Sequence, residues 1–156
     1  ASNRHEVSLN DVILQSLERF SAELKQKKMA IDFSPNQDFT VISDRHLVSI
    51  VIENLVSNAC KYSHEGERIA IKLSKETDAI VCEISDNGIG IPKEDLEKIY
   101  EQFYRSQATT HLSIKGTGLG LSIVKRLCDL LGIGITIESE RESGTAVSIL
   151  FPNKNQ

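Results

Sequence analysis

Tryptophan is absent from the 156 residues, and the three cysteines, Cys60, Cys82 and Cys128, are far apart with no Cys-x-x-Cys pair among them. This odd, scattered set argues against a disulfide framework and against a zinc site, and it predicts buried thiols of a reducing compartment. The four histidines are equally scattered, so we expect no histidine-based metal cluster. Internal repeats and low-complexity tracts are also missing.

Long apolar runs and a surplus of positive charge are missing as well. No apolar run approaches the length of a membrane span, and no N-terminal signal peptide is visible in the sequence. The net charge of −4 gives no indication of a general binder of nucleic acid or of anionic membranes. The length and the ordinary apolar fraction predict one globular domain over residues 1–156.

Apolar periodicity and turn residues predict alternating helices and strands. Ser8 and Asp44 are candidate N-caps of the first two helices. Several strand pairs have hairpin-length connections, which favours an α/β two-layer sandwich with a mixed sheet packed against about three helices over a doubly wound parallel fold. The predicted helices are 9–28, 45–62, a short acidic one at 93–103, and 118–131. The predicted strands are 29–33, 39–42, 69–73, 80–85, 133–138 and 145–151. The first two of these strands are predicted to form a hairpin or a close relative of one.

Helical spacing predicts which side chains face the core. In the second helix the inward stripe holds four apolar or aromatic residues, and Asn58 falls inside it. The predicted inward residues are Leu47, Val51, Leu55 and Tyr62 in the second helix, and Leu119, Ile123, Val124, Leu127 and Leu131 in the last one.

Asp86 follows a strand in which Ile80, Cys82 and Ile84 share one face, so strand alternation places its carboxylate on the apolar side. A carboxylate in that position is costly unless hydrogen-bond donors meet it. The glycines that follow, Gly88 and Gly90, allow close approach of a backbone or a flat ligand. The segment is typical of a site that binds a donor-bearing ring such as adenine, or of an Asp-Asn-Gly turn.

Asn58 is an unusual residue for an inward helix face and must find hydrogen-bond partners there. Its amide oxygen suits a hard cation such as magnesium, and Lys61 on the same side suits phosphate oxygens. The alternative is structural: Asn58 fixes a neighbouring loop, and Lys61 extends to solvent.

Two further glycine-containing segments are candidates for ligand binding. Residues 115–121, Lys-Gly-Thr-Gly-Leu-Gly-Leu, lead into a helix, where clustered backbone N–H groups and the positive end of the helix dipole suit polyphosphate. They match neither the dinucleotide fingerprint nor a P-loop, and a flexible loop is the alternative. Thr145 opens a strand on its inward face and could share a water or a ligand with Asp86, although Ser143-Gly144-Thr145 is also an ordinary turn.

The order of these motifs resembles the catalytic and ATP-binding domain of sensor histidine kinases, which have the Bergerat fold of the GHKL superfamily. The motifs are Asn-x-x-x-Asn-Ala-x-Lys-Tyr from Asn54, Asp-x-Gly-x-Gly-Ile from Asp86, Phe-Tyr-Arg from Phe103, Gly-Thr-Gly-Leu-Gly-Leu from Gly116, and Gly-Thr at Gly144. The resemblance runs from about Ser8 to Pro152.

This resemblance implies a role for each motif residue. Asn58 would be the magnesium ligand, Asp86 would accept a hydrogen bond from the adenine amino group, and Asn54, Lys61 and Arg105 would act on the phosphates during catalysis. Residues 92–115 would form a lid over ATP. The implied nucleotide-binding set is Asn54, Asn58, Lys61, Tyr62, Asp86, Gly88, Gly90, Ile91, Phe103, Lys115, Gly116, Thr117, Gly118, Leu119, Gly120, Leu121 and Thr145. Lys115 stands where the family often has glycine, so it is either an added phosphate contact or a solvated residue.

The resemblance also implies partners. Members of the family transfer phosphate to a histidine of a separate helical dimerisation domain, and from there to the receiver domain of a response regulator. That histidine normally lies in His-Glu/Asp-x-Arg/Lys-x-Pro, and His5-Glu6 has only the first pair. We therefore expect the acceptor domain to be absent from this chain. The domain would be cytoplasmic, with a parent protein either anchored in the bacterial inner membrane or soluble.

The resulting hypothesis is an ATP- and magnesium-dependent histidine kinase domain. One alternative is an ATP hydrolase of the same superfamily, which usually carries a glutamate base where this chain has Asn54. The other is a nucleotide-sensing or docking module without kinase activity.

Overall fold

The computed structural model of the chain describes residues 3–90, 94, 97, 121–140 and 142–153. Within these ranges the chain forms four helices of six residues or more and seven strands. In chain order they are β1 (His5–Ser8), α1 (Leu9–Arg19), α2 (Ser21–Gln26), β2 (Ala30–Asp32), β3 (Thr40–Ser43), α3 (Arg45–Lys61), β4 (Arg68–Lys75), β5 (Ala79–Asp86), α4 (Leu121–Leu131), β6 (Gly134–Glu140) and β7 (Gly144–Pro152).

Five strands form a mixed sheet in the order β2-β4-β5-β7-β6. β2 and β4 are parallel, and the other three neighbouring pairs are antiparallel. β1 and β3 form a separate antiparallel pair. Helix α3 contacts β5 and α4, and α4 contacts β6, so the helices make a second layer. The predicted two-layer α/β sandwich with a mixed sheet is confirmed.

Side-chain caps fix the start of the two main N-terminal helices. The Ser8 hydroxyl accepts a hydrogen bond from the Asp11 N–H at 3.2 Å, and Asp44 Oδ1 accepts one from the Leu47 N–H at 3.1 Å. Both caps satisfy N–H groups that have no partner within the helix. The predicted starts of these helices are therefore confirmed.

The core lies between the helical layer and one face of the sheet. Strand alternation turns Ile80, Cys82 and Ile84 of β5 inward, and all three are buried, as predicted. Val147, Ile149 and Phe151 of β7 are likewise buried beside them. All three cysteines are buried free thiols, as predicted, and burial raises the pKa of Cys82 and of Cys128 to about 12.

Two predictions about the N-terminal half are wrong. Residues 29–33 and 39–42 do not form a hairpin, because β2 pairs in parallel with β4 and β3 pairs with β1. The intervening α3 is long enough to serve as the crossover that a parallel pair needs. The first helix does not continue to Lys28, because it is interrupted at Phe20 and the segment forms two helices, α1 and α2.

In α4 the inward face is rotated from the predicted one. Helical spacing predicts that Ile123 faces the core, yet its side chain is 52% exposed. Cys128 is buried instead, together with Leu121, Val124 and Leu131. The spacing of these four residues is a regular helical stripe, which the apolar Ile123 obscures in the sequence. The sequence does not predict strand β1, because its four residues, His-Glu-Val-Ser, include only one apolar side chain and show no alternation of polar and apolar residues.

Candidate functional site

Asp86 is the last residue of β5 and stands opposite Thr145 of β7 in the register. Its side chain is half-buried, and its Oδ1 accepts a hydrogen bond from the Gly88 N–H at 2.9 Å. Burial raises the pKa of the Asp86 carboxyl, and the backbone N–H groups of Gly88 and Thr145 partly oppose that rise. The structure thus places a carboxylate at the inner end of a central strand, as the alternation predicts.

Both layers contribute side chains to one pocket around this carboxylate. Helix α3 provides Asn58 and Tyr62, the sheet provides Asp86 and Thr145, and α4 provides Leu121. The rest of the lining is apolar: Leu55, Ala59, Ile84 and Val147. The volume is about 30 Å³, room for about one water, so a purine ring would insert only an edge here. Two segments that are far apart in the sequence converge as the resemblance implies.

The loop after Asp86 is held by backbone hydrogen bonds on both sides. The Ile89 N–H donates to the Tyr62 carbonyl oxygen at 3.0 Å, and the Ile89 carbonyl oxygen accepts from the Glu142 N–H at 2.6 Å. Gly88 lies against the end of α3, where a β-carbon would collide with the Tyr62 carbonyl oxygen. Gly88 therefore has a packing role, and Gly90, with φ of +76°, adopts a conformation that favours glycine.

Thr145 is hydrogen-bonded across the strands to a residue that sequence reasoning missed. Its Oγ1 lies 2.7 Å from the Oγ of Ser139 on β6, and Ser139 Oγ also donates to the Gly144 carbonyl oxygen at 3.1 Å. Ser139 occupies an inward position of β6 after Ile135 and Ile137. A polar residue that follows two apolar residues on the inward face is the sequence feature that could have identified it.

Two of the predicted phosphate-facing residues do not line this pocket as far as the described residues show. The Asn54 amide donates to the Ile50 carbonyl oxygen one turn earlier, at 2.8 Å. Lys61 is exposed and borders a separate groove together with Phe20, Lys27 and other residues.

The C-terminal end of α3 is held by Lys27, the residue that follows helix α2. Lys27 Nζ donates to the carbonyl oxygens of Cys60 and Lys61, at 2.7 and 2.9 Å. A cation at a helix C-terminus satisfies orphan carbonyls and complements the negative end of the dipole. Lys27 therefore fixes the turn that carries Lys61 and leads to Tyr62.

Several predicted site residues, and the proposed lid at 92–115 apart from residues 94 and 97, lie outside the described residues. These site residues are Ile91, Phe103, Arg105, Lys115, Gly116, Thr117, Gly118, Leu119 and Gly120.

No three His, Cys, Asp or Glu side chains in the described ranges are arranged to hold a metal ion. In the part of the chain that the structure describes, no helix has the length and apolar character needed to cross a membrane.

Comparison with known proteins identifies similar chains. The sequence is 32% identical to the sensor histidine kinase WalK of Bacillus subtilis (strain 168), over 99% of this chain and 26% of WalK. It is 34% identical to the signal transduction histidine-protein kinase ArlS of Staphylococcus aureus (strain USA300), over 97% of this chain and 33% of ArlS. The chain thus spans about a quarter to a third of the length of these two relatives.

Solved structures agree with the sequence relatives. The catalytic domain of histidine kinase ThkA, in a nucleotide-free form, superposes with a TM-score of 0.79 at 28% identity, over 96% of this chain and 95% of that one. ThkA in complex with the response regulator protein TrrA gives 0.76 at 26% identity, over 96% of this chain and 41% of that one. Residues 43–155 match the family described as histidine kinase-, DNA gyrase B- and HSP90-like ATPase. The chain belongs to this ATPase family, and almost its whole length is similar to the catalytic domains of sensor histidine kinases.

Proposed function

We propose that this chain binds ATP with magnesium and transfers the γ-phosphoryl group to a histidine on a separate helical domain. The observation that carries the proposal is the convergence of Asn58 and Tyr62 from α3 with Asp86 and Thr145 from the sheet in one pocket. Membership of the ATPase family and likeness to histidine kinase catalytic domains support the same activity.

Asp86 would select the base. An ionised carboxylate only accepts hydrogen bonds, and the pocket gives it apolar neighbours that exclude water. An exocyclic amino group is therefore the complementary ligand group. The Gly88 N–H and the held loop would keep Oδ1 in place before the nucleotide arrives.

Asn58 fits a magnesium ligand by chemistry and by position, because it carries a neutral amide oxygen and is a half-buried residue that lines the pocket. Magnesium usually keeps several waters and takes few protein ligands, which agrees with one amide and no acidic cluster among the described residues. Such an ion would neutralise charge on the phosphates.

The remaining work would be positioning and charge neutralisation, since phosphoryl transfer needs little covalent participation by the protein. Asn54, Lys61 and Arg105 would contact phosphate oxygens, and residues 115–121 would add backbone N–H groups. A lid at 92–115, with Phe103 inside it, would cover ATP. The acceptor imidazole is already nucleophilic when neutral, so a base in this chain is not required.

The structure gives no support to the hydrolase alternative. A hydrolytic base would be expected at residue 54, where Asn54 cannot take a proton from water. Neighbouring Glu53 instead lies 3.7 Å from Arg19 of α1 and borders a different surface pocket, at the other end of α3.

The whole parent protein would then work in two-component signalling. We propose residues 1–156 as its single catalytic and ATP-binding domain, with the phosphoacceptor domain and a response regulator receiver domain as partners. The relative ThkA has been solved with a response regulator. The domain would act in the cytoplasm, without contacting nucleic acid or membrane.

The test is incubation with γ-labelled ATP, magnesium and a helical acceptor domain from a relative such as WalK, with α-labelled ATP as the control. Acid-labile label on the acceptor from γ-labelled ATP alone is the expected result. Nucleotide binding without label transfer to acceptors that other kinases phosphorylate would favour the sensing module, and steady phosphate release without an acceptor would favour the hydrolase.

A further inference from the structure

Asn87 is the only asparagine of the sequence that is followed by glycine. In such a pair the glycine has no side chain to hinder attack by its own backbone nitrogen on the asparagine side chain. Asn87 follows β5 directly and is exposed, whereas Gly88 is buried against the end of α3. Solvent therefore reaches the asparagine side chain, while the nitrogen that would attack it lies in a packed environment.

The covalent reaction that this pair can undergo is deamidation. The Gly88 nitrogen loses its proton and forms a bond to Cγ of Asn87, the bond from Cγ to Nδ2 breaks, and ammonia leaves. The product is a five-membered succinimide ring. Water then opens the ring at one of its two carbonyl groups, which gives aspartate or isoaspartate at residue 87.

A hydrogen bond of Gly88 opposes this reaction in the folded chain. The Gly88 N–H donates to Asp86 Oδ1 at 2.9 Å. Attack requires the nitrogen to lose this proton, and the amide anion would then lie beside an ionised carboxylate, which disfavours it. The nitrogen of the succinimide has no proton, so the ring cannot form while this hydrogen bond is kept.

The packing around the pair opposes the reaction as well. A β-carbon on Gly88 would collide with the Tyr62 carbonyl oxygen, and one on Gly144 would lie 2.8 Å from Cα of Asn87. The next residue, Ile89, donates its N–H to the Tyr62 carbonyl oxygen at 3.0 Å. Isoaspartate adds a methylene group to the backbone, for which this spacing leaves no room. The reaction therefore requires residues 86–89 to open locally.

We propose that Asn87 is a site of spontaneous deamidation whose rate is set by opening of residues 86–89, and that the Asp86–Gly88 hydrogen bond keeps this rate low in the folded chain. The proposal goes beyond nucleotide binding and does not depend on it. It gives the Asp86 carboxylate a protective effect that is separate from contact with a ligand. Deamidation adds a negative charge beside the pocket and, in isoaspartate, a longer backbone.

The experiment is incubation of the whole chain without nucleotide at mildly alkaline pH, followed by peptide mapping with mass spectrometry. Deamidation replaces an amide by a carboxyl, and fragmentation assigns the mass gain to residue 87. The folded chain should react at least about tenfold more slowly than the chain unfolded in guanidinium chloride, because only the open state reacts. Equal rates, or no reaction at residue 87 in the unfolded chain, would overturn the proposal.

Two substitutions of Asp86 separate the hydrogen bond from the charge. Asp86→Ala removes both and should raise the rate in the folded chain by about tenfold or more. Asp86→Asn keeps an amide oxygen as acceptor without the charge, so its rate should lie between those of the wild type and Asp86→Ala. An unchanged rate in Asp86→Ala, or an equal rate in both variants, would contradict the role of this hydrogen bond.

The matched control is Cys82→Ala, which truncates a buried side chain of the same strand and leaves residues 86–89 unchanged. It lowers the stability of the whole domain, which urea denaturation measures. If the loop opens locally, the rate in Cys82→Ala should stay within about twofold of the wild type. A rate that rises in proportion to the loss of stability would show that the reaction follows global unfolding, and would overturn the proposal.

The outcomes are distinct from those of the proposed function. Failure of the wild-type chain to bind ADP would overturn the proposed function and leave these rates as they are. Should Asp86→Ala not fold, hydrogen exchange of the wild type makes the test. In low concentrations of guanidinium chloride, deamidation should accelerate in parallel with exchange of the Gly88 N–H. Deamidation that follows only the exchange of a core amide, such as that of Cys82, would overturn the proposal.

Discussion

Gly144 lies against Asp86 so closely that a β-carbon at residue 144 would collide with the carbonyl oxygen of Asp86. The backbone of Gly144 has φ of +100°, a region that residues with a side chain rarely adopt. The turn between β6 and β7 therefore helps to set the position of the carboxylate-bearing end of β5. This contact is made by backbone atoms, so neither partner can relieve it by a rotamer change.

Gly144→Ala should lower both stability and nucleotide affinity. The positive φ alone costs about 1–3 kcal/mol, and the collision adds to it. Gly132→Ala is the matched control, because Gly132 has φ of +72° with open space where the β-carbon would lie. Urea denaturation should show a larger loss for Gly144→Ala. Equal losses would mean that the contact with Asp86 is easily relieved.

Asp86→Asn should weaken ADP binding by about tenfold to a hundredfold, because a charged acceptor is replaced by a neutral amide. Calorimetry measures the affinity. Asp32→Asn, on an exposed position of β2, is the control and should leave it unchanged. Unchanged ADP affinity in Asp86→Asn would refute the adenine-binding role of this carboxylate.

The raised pKa of Asp86 predicts a stability effect of the opposite sign from that of a paired carboxylate. The folded state binds the Asp86 proton more tightly than the unfolded state, so this residue favours folding at acid pH and loses that contribution as pH rises through its raised pKa. At pH 7 the buried charge opposes folding. Asp86→Asn should therefore leave the free energy of unfolding at pH 7 unchanged or increase it, measured by urea titration. A loss of stability at pH 7, with none at pH 4, would contradict this sign.

The inward-facing residues of the candidate site could be predicted from the sequence where the prediction depends only on spacing within one helix or strand. Strand alternation alone places Asp86 and Thr145 on the inward faces of β5 and β7, and helical spacing places Asn58 on the inward face of α3. That these faces meet in one pocket depended on the resemblance to a known fold. Helical spacing gave a wrong prediction for Ile123, because this apolar side chain lies just outside the buried stripe of α4.

What the sequence did not predict depends on long-range pairing. β2 and β3 have similar apolar patterns, and only the partners β4 and β1 distinguish them. Ser139 contacts Thr145 only because the β6–β7 register sets the two residues opposite each other. A one-residue shift would turn it to the other face, and no property of the residue itself fixes that register.

Asn58→Ala should weaken the magnesium-dependent part of ADP binding, because it removes the amide oxygen from the pocket wall. The measurement is the ADP affinity with magnesium and with a chelator. The ratio of these two affinities should fall in Asn58→Ala and stay unchanged in Ser49→Ala, at the other end of α3. A variant that responds to magnesium as the wild type does would show that Asn58 is not a ligand.

Lys27→Met should destabilise the domain by about 1–2 kcal/mol, because the carbonyl oxygens of Cys60 and Lys61 lose their charged donor at the C-terminus of α3. Neighbouring Lys28 is the control: its ammonium is exposed, with one ion pair to Glu65 at 3.6 Å, so Lys28→Met should cost less than about 0.5 kcal/mol. Urea denaturation compares the two variants.

Hydrogen exchange should further show faster exchange at Tyr62 and Ile89 in Lys27→Met alone, since the Tyr62 carbonyl oxygen accepts the Ile89 N–H at the edge of the pocket. Equal stability and exchange in both variants would mean that solvent replaces the lysine, and that the turn leading to Tyr62 is held by packing.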